Sequence, residues 1–273
     1  MITDDEFVRI SVYMKQRYGI DLSQKKVIID GRLENQLKSL GYRNYTDFMD
    51  AVEHDKTGEM ERLLVNKLTT NHTYFMREFE QFDYYKAVVL PWAKKKAGKN
   101  RDLRTWCGAA STGEEPYMIA MTISDFFGLD HKNWDTKVLA TDLSTGALQQ
   151  AMQGIYDAEK LSNIPDNWKR HFFKSIAGGR QFQVQPELRS QLIFRQFNLM
   201  DDFPFKKKMH TIFLRNVMIY FDEKTKIELV RKVYDILEDG GYLFIGTTET
   251  LDRGSVPFQL VKPSIFRKEE RNG

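Results

Sequence analysis

LRTWCGAASTGEEPY, residues 103 to 117, starts as an apolar run, turns at Gly108 and enters a helix. That is a strand–loop–helix unit, and the chain after it repeats the alternation. Strands are expected at Leu103–Cys107, Lys137–Thr141, Leu192–Phe197, Thr211–Leu214 and Tyr242–Ile245. Helices are expected at Pro116–Phe127, Ala147–Gly154 and Glu223–Leu237, the last closed by Asp239-Gly240-Gly241. Such alternation predicts an α/β fold with a doubly wound, mostly parallel sheet and helices on both faces. A last pair, Phe258–Val261 and Ile265–Arg267 around Pro263, reads as an antiparallel hairpin. The segment from His171 to Gln191 breaks the pattern. Phe172, Phe173, Phe182 and Val184 flank Ala177-Gly178-Gly179, which predicts an inserted hairpin.

Upstream, residues 1 to 70 read as helices only. A first helix runs from Asp4 to Tyr18, with Phe7, Ile10, Val12 and Tyr13 at roughly helical spacing. Ser23 is expected to cap a second, ending at Leu40, whose buried stripe is Val27, Leu33, Leu37 and Leu40. Tyr45 to His54 and Gly58 to Leu68 complete a small bundle. Residues 71–100 read as a linker and covering segment that includes a basic loop, Lys94 to Arg101. The organisation expected is 1–70 helical and 101–273 α/β, with the hairpin insertion at about 171–191.

Composition narrows the function classes. Hydrophobic residues make up 41% of 273, enough for a proper core, and the net charge of +3 does not force nucleic-acid binding. One cysteine, Cys107, excludes an internal disulfide and fits a reducing compartment. MITDDEF lacks the order of a signal peptide, and no apolar run approaches the ~20 residues of a membrane helix. The reading is therefore cytoplasmic. His54, His72, His131, His171 and His210 show no metal spacing, so no metal is expected. Lys94–Lys96 and Lys206–Lys208 read as solvated loops.

Open parallel sheets bind ligands beyond the carboxyl ends of their strands. At the first such end, Gly108, Ala109, Ala110, Ser111 and Gly113 are small enough for backbone to approach a ligand. Glu114 and Glu115 follow. Carboxylates at a helix start repel pyrophosphate and suit a cationic ligand with an amino group, such as S-adenosylmethionine. They are equally explained as favourable charges on the helix dipole. The second strand ends in Asp142, placed to accept ribose hydroxyl hydrogens or to cap the helix that follows. Asn198 and Asn216 stand at two further strand ends.

TNHTYFMRE (Thr70 to Glu78), GAASTGEEPY (Gly108 to Tyr117), ATDLS (Ala140 to Ser144), GIY (Gly154 to Tyr156) and RNVMIYFD (Arg215 to Asp222) occur in one order. In these motifs the chain resembles the chemotaxis receptor glutamate O-methyltransferases over nearly its whole length. The resemblance implies the class I S-adenosylmethionine methyltransferase fold with a helical N-terminal domain. It implies methyl transfer from S-adenosylmethionine to glutamate carboxylates of membrane chemoreceptors, with S-adenosylhomocysteine as product. Cofactor contacts are implied for Asn71, Thr73, Arg77, Glu115, Asp142, Asn198, Leu199, Arg215 and Asn216, beside Gly108 in the first loop. At Gly108 alanine or serine is expected instead. Tyr220 matches the aromatic residue near the transferred methyl, and Arg77 suits a clamp on cofactor or substrate carboxylate. A glutamate is already an anion at neutral pH, so no general base is needed, and an apolar mouth holding Tyr220 and Phe75 suits the reaction.

Lys25, Lys26, Arg32 and Lys38, with Lys25 and Arg32 on one helical face, are the expected contacts to acidic receptor helices. A solvated helix face explains them equally well. The resemblance further implies a monomer that reaches the membrane only through the receptor. The hairpin is shorter than in relatives that tether a receptor tail peptide, so no such tether is expected. A non-catalytic S-adenosylmethionine-binding module is the alternative function.

Overall fold

The computed structural model describes residues 1–252, 254 and 256–270; the end of the expected α/β segment, 271–273, lies outside the described residues. Helices α1 (Asp4–Tyr18), α2 (Lys26–Leu40), α3 (Tyr45–His54) and α4 (Glu59–Leu68) form the N-terminal bundle. Thr3 and Glu6 cap α1 reciprocally, and Gly19 closes it in a left-handed conformation. The other Glu6 oxygen, Oε1, accepts the Tyr45 and Thr46 amides, so one carboxylate ties the starts of α1 and α3 together.

Helix α2 corrects two expectations. It begins at Lys26 without a side-chain cap, while Ser23 donates its amide to Asp21. Its buried stripe is Ile29, Leu33 and Leu37, one residue per turn. Val27 is 86% exposed because, two residues before Ile29, it faces the opposite way; Leu40 is exposed at the last turn. Val12 of α1 is exposed as well.

The expected basic loop is mostly helix. Helix α5 (Glu80–Tyr84), a π-helical stretch (Tyr85–Val89) and α6 (Leu90–Ala97) follow one another without a break, and α6 carries Lys94–Lys96. Pro91 falls where the π-helical stretch gives way to α6, at a change in the helical hydrogen-bond ladder. Lys94 is not simply solvated, since Nζ lies 2.9 Å from Asp130 Oδ2 and 5.0 Å from the Phe127 ring centre.

The α/β part comprises β1 (Thr105–Cys107), α7 (Glu114–Phe127), β2 (Val138–Asp142), α8 (Thr145–Gln153), β3 (Ile155–Asp157), α9 (Asp166–Phe172) and β4 (Phe173–Ile176), then β5 (Gln181–Val184), α10 (Pro186–Arg189), β6 (Leu192–Gln196), β7 (Met209–Leu214), α11 (Glu223–Ile236), β8 (Leu237–Ile245), β9 (Phe258–Lys262) and β10 (Ile265–Lys268). The main sheet runs β6-β2-β1-β7-β8-β10-β9, parallel except for the closing β9–β10 hairpin, whose β10 lies antiparallel to β8. Alternate residues of its strands enter two cores. Trp106, Ile212, Leu214 and Leu243 pack in one cluster with Ile10, Met14 and Leu33 of the bundle. Cys107, Phe213 and Phe244 face Phe82, Tyr85 and Ile119 on the other side.

Two more expectations change here. Helix α11 ends at Ile236, and Asp239-Gly240-Gly241 lies inside β8 instead of capping the helix. Gly240 has φ +82, and a Cβ on Gly241 would sit 2.8 Å from the Glu238 carbonyl, so the glycines serve an irregular strand start. The inserted hairpin β4–β5 is present, but Phe172 ends α9, and β3 joins β5 to make a three-stranded sheet.

Candidate active site

Strand order reverses direction between β1 and β7, and a cavity of about 450 Å³ opens beyond the carboxyl ends of β1, β2, β6 and β7. Each strand end delivers one expected residue or more to its wall: Gly108 and Glu115 after β1, Asp142 at the end of β2, Asn198 and Leu199 after β6, Arg215, Asn216 and Tyr220 after β7. The segment before α5 adds Asn71, Thr73 and Arg77. Arg32 of α2 and Lys25, which precedes the helix, also line the cavity.

The floor is an ion network. Arg215, almost wholly buried, holds Glu115 at 2.7 Å and Glu78 at 3.2 Å, donates to the Arg77 carbonyl and covers the Phe82 ring. Burial pushes the Glu115 carboxyl up against the pull of Arg215. Burial acts the same way on Glu78, but Arg215 and the donors from Thr247 and Asn216 outweigh it and hold that carboxyl low. The Cys107 thiol donates to Glu115 and is pushed well up by burial, which leaves it an inert core group.

Asp142 is 9% exposed, and burial raises its carboxyl although backbone amides oppose the shift. Oδ2 accepts the Ser111 amide at 2.7 Å and Oδ1 the Ser144 amide at 2.8 Å. The cap of α8 is Ser144, not Asp142. Around this cavity the backbone is strained, with Met76, Glu78, Ser111 and Asn216 all at positive φ. Two polar atoms of lining residues, Ser111 Oγ and Arg215 Nε, are buried without a hydrogen-bond partner. Gly108 has a packing reason, since a Cβ there would meet Leu214 Cδ1 at 2.9 Å.

Some expected residues lie elsewhere. Glu114 faces away from the cavity, buried against Lys160 at 2.7 Å and Thr112 at 2.6 Å. Phe75 is interior, edge-on to Tyr156 and Phe173, and Tyr74 takes its place at the mouth. Lys26 pairs with Asp4 and Lys38 with Glu34, both outside the cavity wall. Arg32 donates to the carbonyls of Leu68 and Thr69, so it fastens the chain leading out of α4.

The bundle grips the Tyr220 loop directly. Asp21 donates its amide to the Tyr220 carbonyl at 2.8 Å, Ile20 bridges Phe221 in antiparallel fashion, and Lys15 pairs with Asp222 at 2.9 Å. Sequence reasoning passed over Glu78, although it stands inside the TNHTYFMRE run, and Glu249, which only its place after β8 marks. Among the described residues no cluster of three or more histidines, cysteines and carboxylates is placed to hold a metal. Among them no helix is long and apolar enough to cross a membrane.

Residues 71–266 match the family model described as CheR methyltransferase, SAM binding domain, and residues 5–69 match CheR methyltransferase, all-alpha domain. A chemotaxis protein methyltransferase of Borreliella burgdorferi is 38% identical, over 98% of this chain and 95% of its own length. One from Escherichia coli K12 is 34% identical, over 97% and 91%. Chemotaxis protein methyltransferase 2 of Pseudomonas aeruginosa is 34% identical, over 97% and 93%.

Proposed function

The chain belongs to the CheR methyltransferase family and is an S-adenosylmethionine-dependent chemotaxis protein methyltransferase, and from that premise we propose that its acceptors are glutamate side chains on the cytoplasmic helices of membrane chemoreceptors. The products are glutamyl methyl esters and S-adenosylhomocysteine. The observation that carries the reading is the convergence of eleven residues implied by the resemblance on one cavity. As a methyltransferase, the chain is not a non-catalytic binding module.

The cavity fits the cofactor. Its volume is within the range of small-molecule sites. Asp142 offers a carboxylate at the end of β2 for ribose hydroxyls, and Glu115 supplies negative charge for an ammonium group, with Glu78 behind the wall on the other side of Arg215. The unpartnered Ser111 Oγ and Arg215 Nε are polar groups that a polar ligand would satisfy. When bound, S-adenosylmethionine supplies an electrophilic methyl on a positively charged sulfur.

This chain's residues then have to orient and to exclude water. An ionised glutamate needs no general base, and fixed orientation alone contributes on the order of 7–11 kcal/mol. An ionised acceptor and a positively charged methyl donor would lose charge together on the way to the transition state, so the mouth of Ile28, Tyr74, Ile219 and Tyr220 would favour that less polar state. Arg77, stacked 5.6 Å from the Tyr74 ring centre, brings a guanidinium to the same opening and is the candidate clamp for the acceptor carboxylate. Lys25 and Arg32 give the mouth positive charge toward acidic receptor helices. The enzyme works as a monomer in the cytoplasm and meets the membrane only through its receptor.

The test is incubation with methyl-labelled cofactor and receptor-bearing membranes. Label on the receptor that mild base releases supports the reading. Base-resistant label, or label on another component, overturns it.

A further inference from the structure

Tyr220 and Asn216 sit on one loop between β7 and α11, and its shape does not follow from local preferences. Asn216 takes a left-handed conformation, φ +56, and a short 3₁₀ turn follows at Met218–Tyr220. The amides at the start of such a turn have no internal acceptor. Here one side chain from the turn after β8 supplies it. Glu249 Oε2 accepts the Asn216 amide at 2.8 Å and the Gly246 amide at 2.6 Å; Oε1 accepts Met218 at 2.7 Å and Ile219 at 3.3 Å. Four backbone N–H groups thus converge on one buried carboxylate, an anion nest filled by the protein itself.

The neighbouring contacts are equally tight. A Cβ on Gly246 would come 2.2 Å from Asn216 Nδ2, so the loop lies directly on the backbone that Glu249 also holds. Asn216 Nδ2 then reaches Glu78 Oε1 at 3.3 Å, which joins the clamp to the Arg215 network. Glu249 is absent from the cavity wall, while Asn216, Ile219 and Tyr220 belong to it.

We propose that Glu249 is a positioning residue for methyl transfer, which sets Asn216 for the cofactor and Tyr220 for the acceptor by pinning the amides of the loop between them. The proposal rests on the cofactor and acceptor roles assigned to those two residues above. Glu249→Gln keeps the size but replaces one oxygen by an NH₂ that faces backbone donors. S-adenosylhomocysteine affinity is expected to fall about tenfold, and turnover on receptor membranes further, because both ends of the loop move.

Coupling separates positioning from a merely structural role. In an Asn216→Ala background, Glu249→Gln is expected to leave S-adenosylhomocysteine affinity unchanged, because the contact it serves is already gone. Gly246→Ala, whose Cβ would press on both the Asn216 amide group and Glu249 Oε2, strains the clamp from its other side and is the second probe, expected to weaken binding in the same way. Titration calorimetry needs no acceptor protein, so this arm fails independently of the receptor reading. Fully additive losses in the double variant, or a folded Glu249→Gln with parental affinity and turnover, overturn the proposal. If Glu249→Gln does not fold, parental affinity in Gly246→Ala overturns it alone.

Discussion

Replacing Asp142 by alanine separates the two tasks its carboxylate performs. In the protein alone it receives two backbone amides, Ser111 at 2.7 Å and Ser144 at 2.8 Å, from a position only 9% exposed. With ligand, the same oxygens are the expected acceptors for the ribose hydroxyls. Each orphaned amide weakens folding by about 1–3 kcal/mol, toward the lower end because the cavity admits water. Loss of a charged acceptor to the ligand weakens binding by about 1.5–3 kcal/mol, roughly ten- to hundredfold in Kd. Calorimetry with S-adenosylhomocysteine measures the second effect and urea unfolding without ligand the first. An analogue lacking both ribose hydroxyls sharpens the test, since it is expected to bind the parent more weakly and to be indifferent to the substitution. A folded Asp142→Ala protein with parental affinity refutes the assignment, and so does one that still discriminates between the two ligands.

Tyr220→Phe is expected to bind S-adenosylhomocysteine as the parent does and to lose turnover on receptor membranes; preserved turnover would reduce Tyr220 to packing. His210 is buried between strands, and burial together with the Arg104 cation lowers its pKa to about 4. Its neutral form stabilises the fold fully above its ordinary pKa near 6.5, and that stability is lost as pH falls toward 4, about 2 kcal/mol of it by pH 5. Urea midpoints from pH 7 to 5 are expected to drop more steeply in the parent than in His210→Asn. Receptor lacking its last few residues is expected to be methylated within about twofold of the full-length receptor, because β4 and β5 offer strands of only four residues for tail binding. A large loss on truncation, with binding of the isolated tail peptide, would overturn that expectation.

Legibility followed the range of the forces involved. Helix α1 has local caps at both ends, Thr3 with Glu6 and then Gly19, and α3 has one at its start, Asn44, so these boundaries were readable. Strands β1, β2, β6 and β7 were readable as apolar runs, and their ends located the cavity residues. Strand β3 was not, since three residues carry no period and it exists only by pairing with β5. Asp239-Gly240-Gly241 misled because breakers report what a backbone tolerates, not where an element stops. Partnerships were the least visible. Glu115 finds Arg215 a hundred residues away, Glu114 turns to Lys160, and Phe75 faces inward while Tyr74 faces the mouth. Those outcomes depend on the assembled packing.

The joint between bundle and sheet bears on how this protein can be recombined. Its bundle reaches the loop behind Tyr220 through main-chain contacts, with the Asp21 amide on the Tyr220 carbonyl and Ile20 alongside Phe221. Such contacts ignore side-chain identity, so a transplanted bundle can make them provided its α1–α2 connection has the same length and path. The Lys15–Asp222 pair adds a side-chain condition that the donor sequence has to meet. A chimera cut near residue 70 therefore inherits a second seam at residues 15–22, remote from the cut, and that seam decides whether the two halves still shape one cavity.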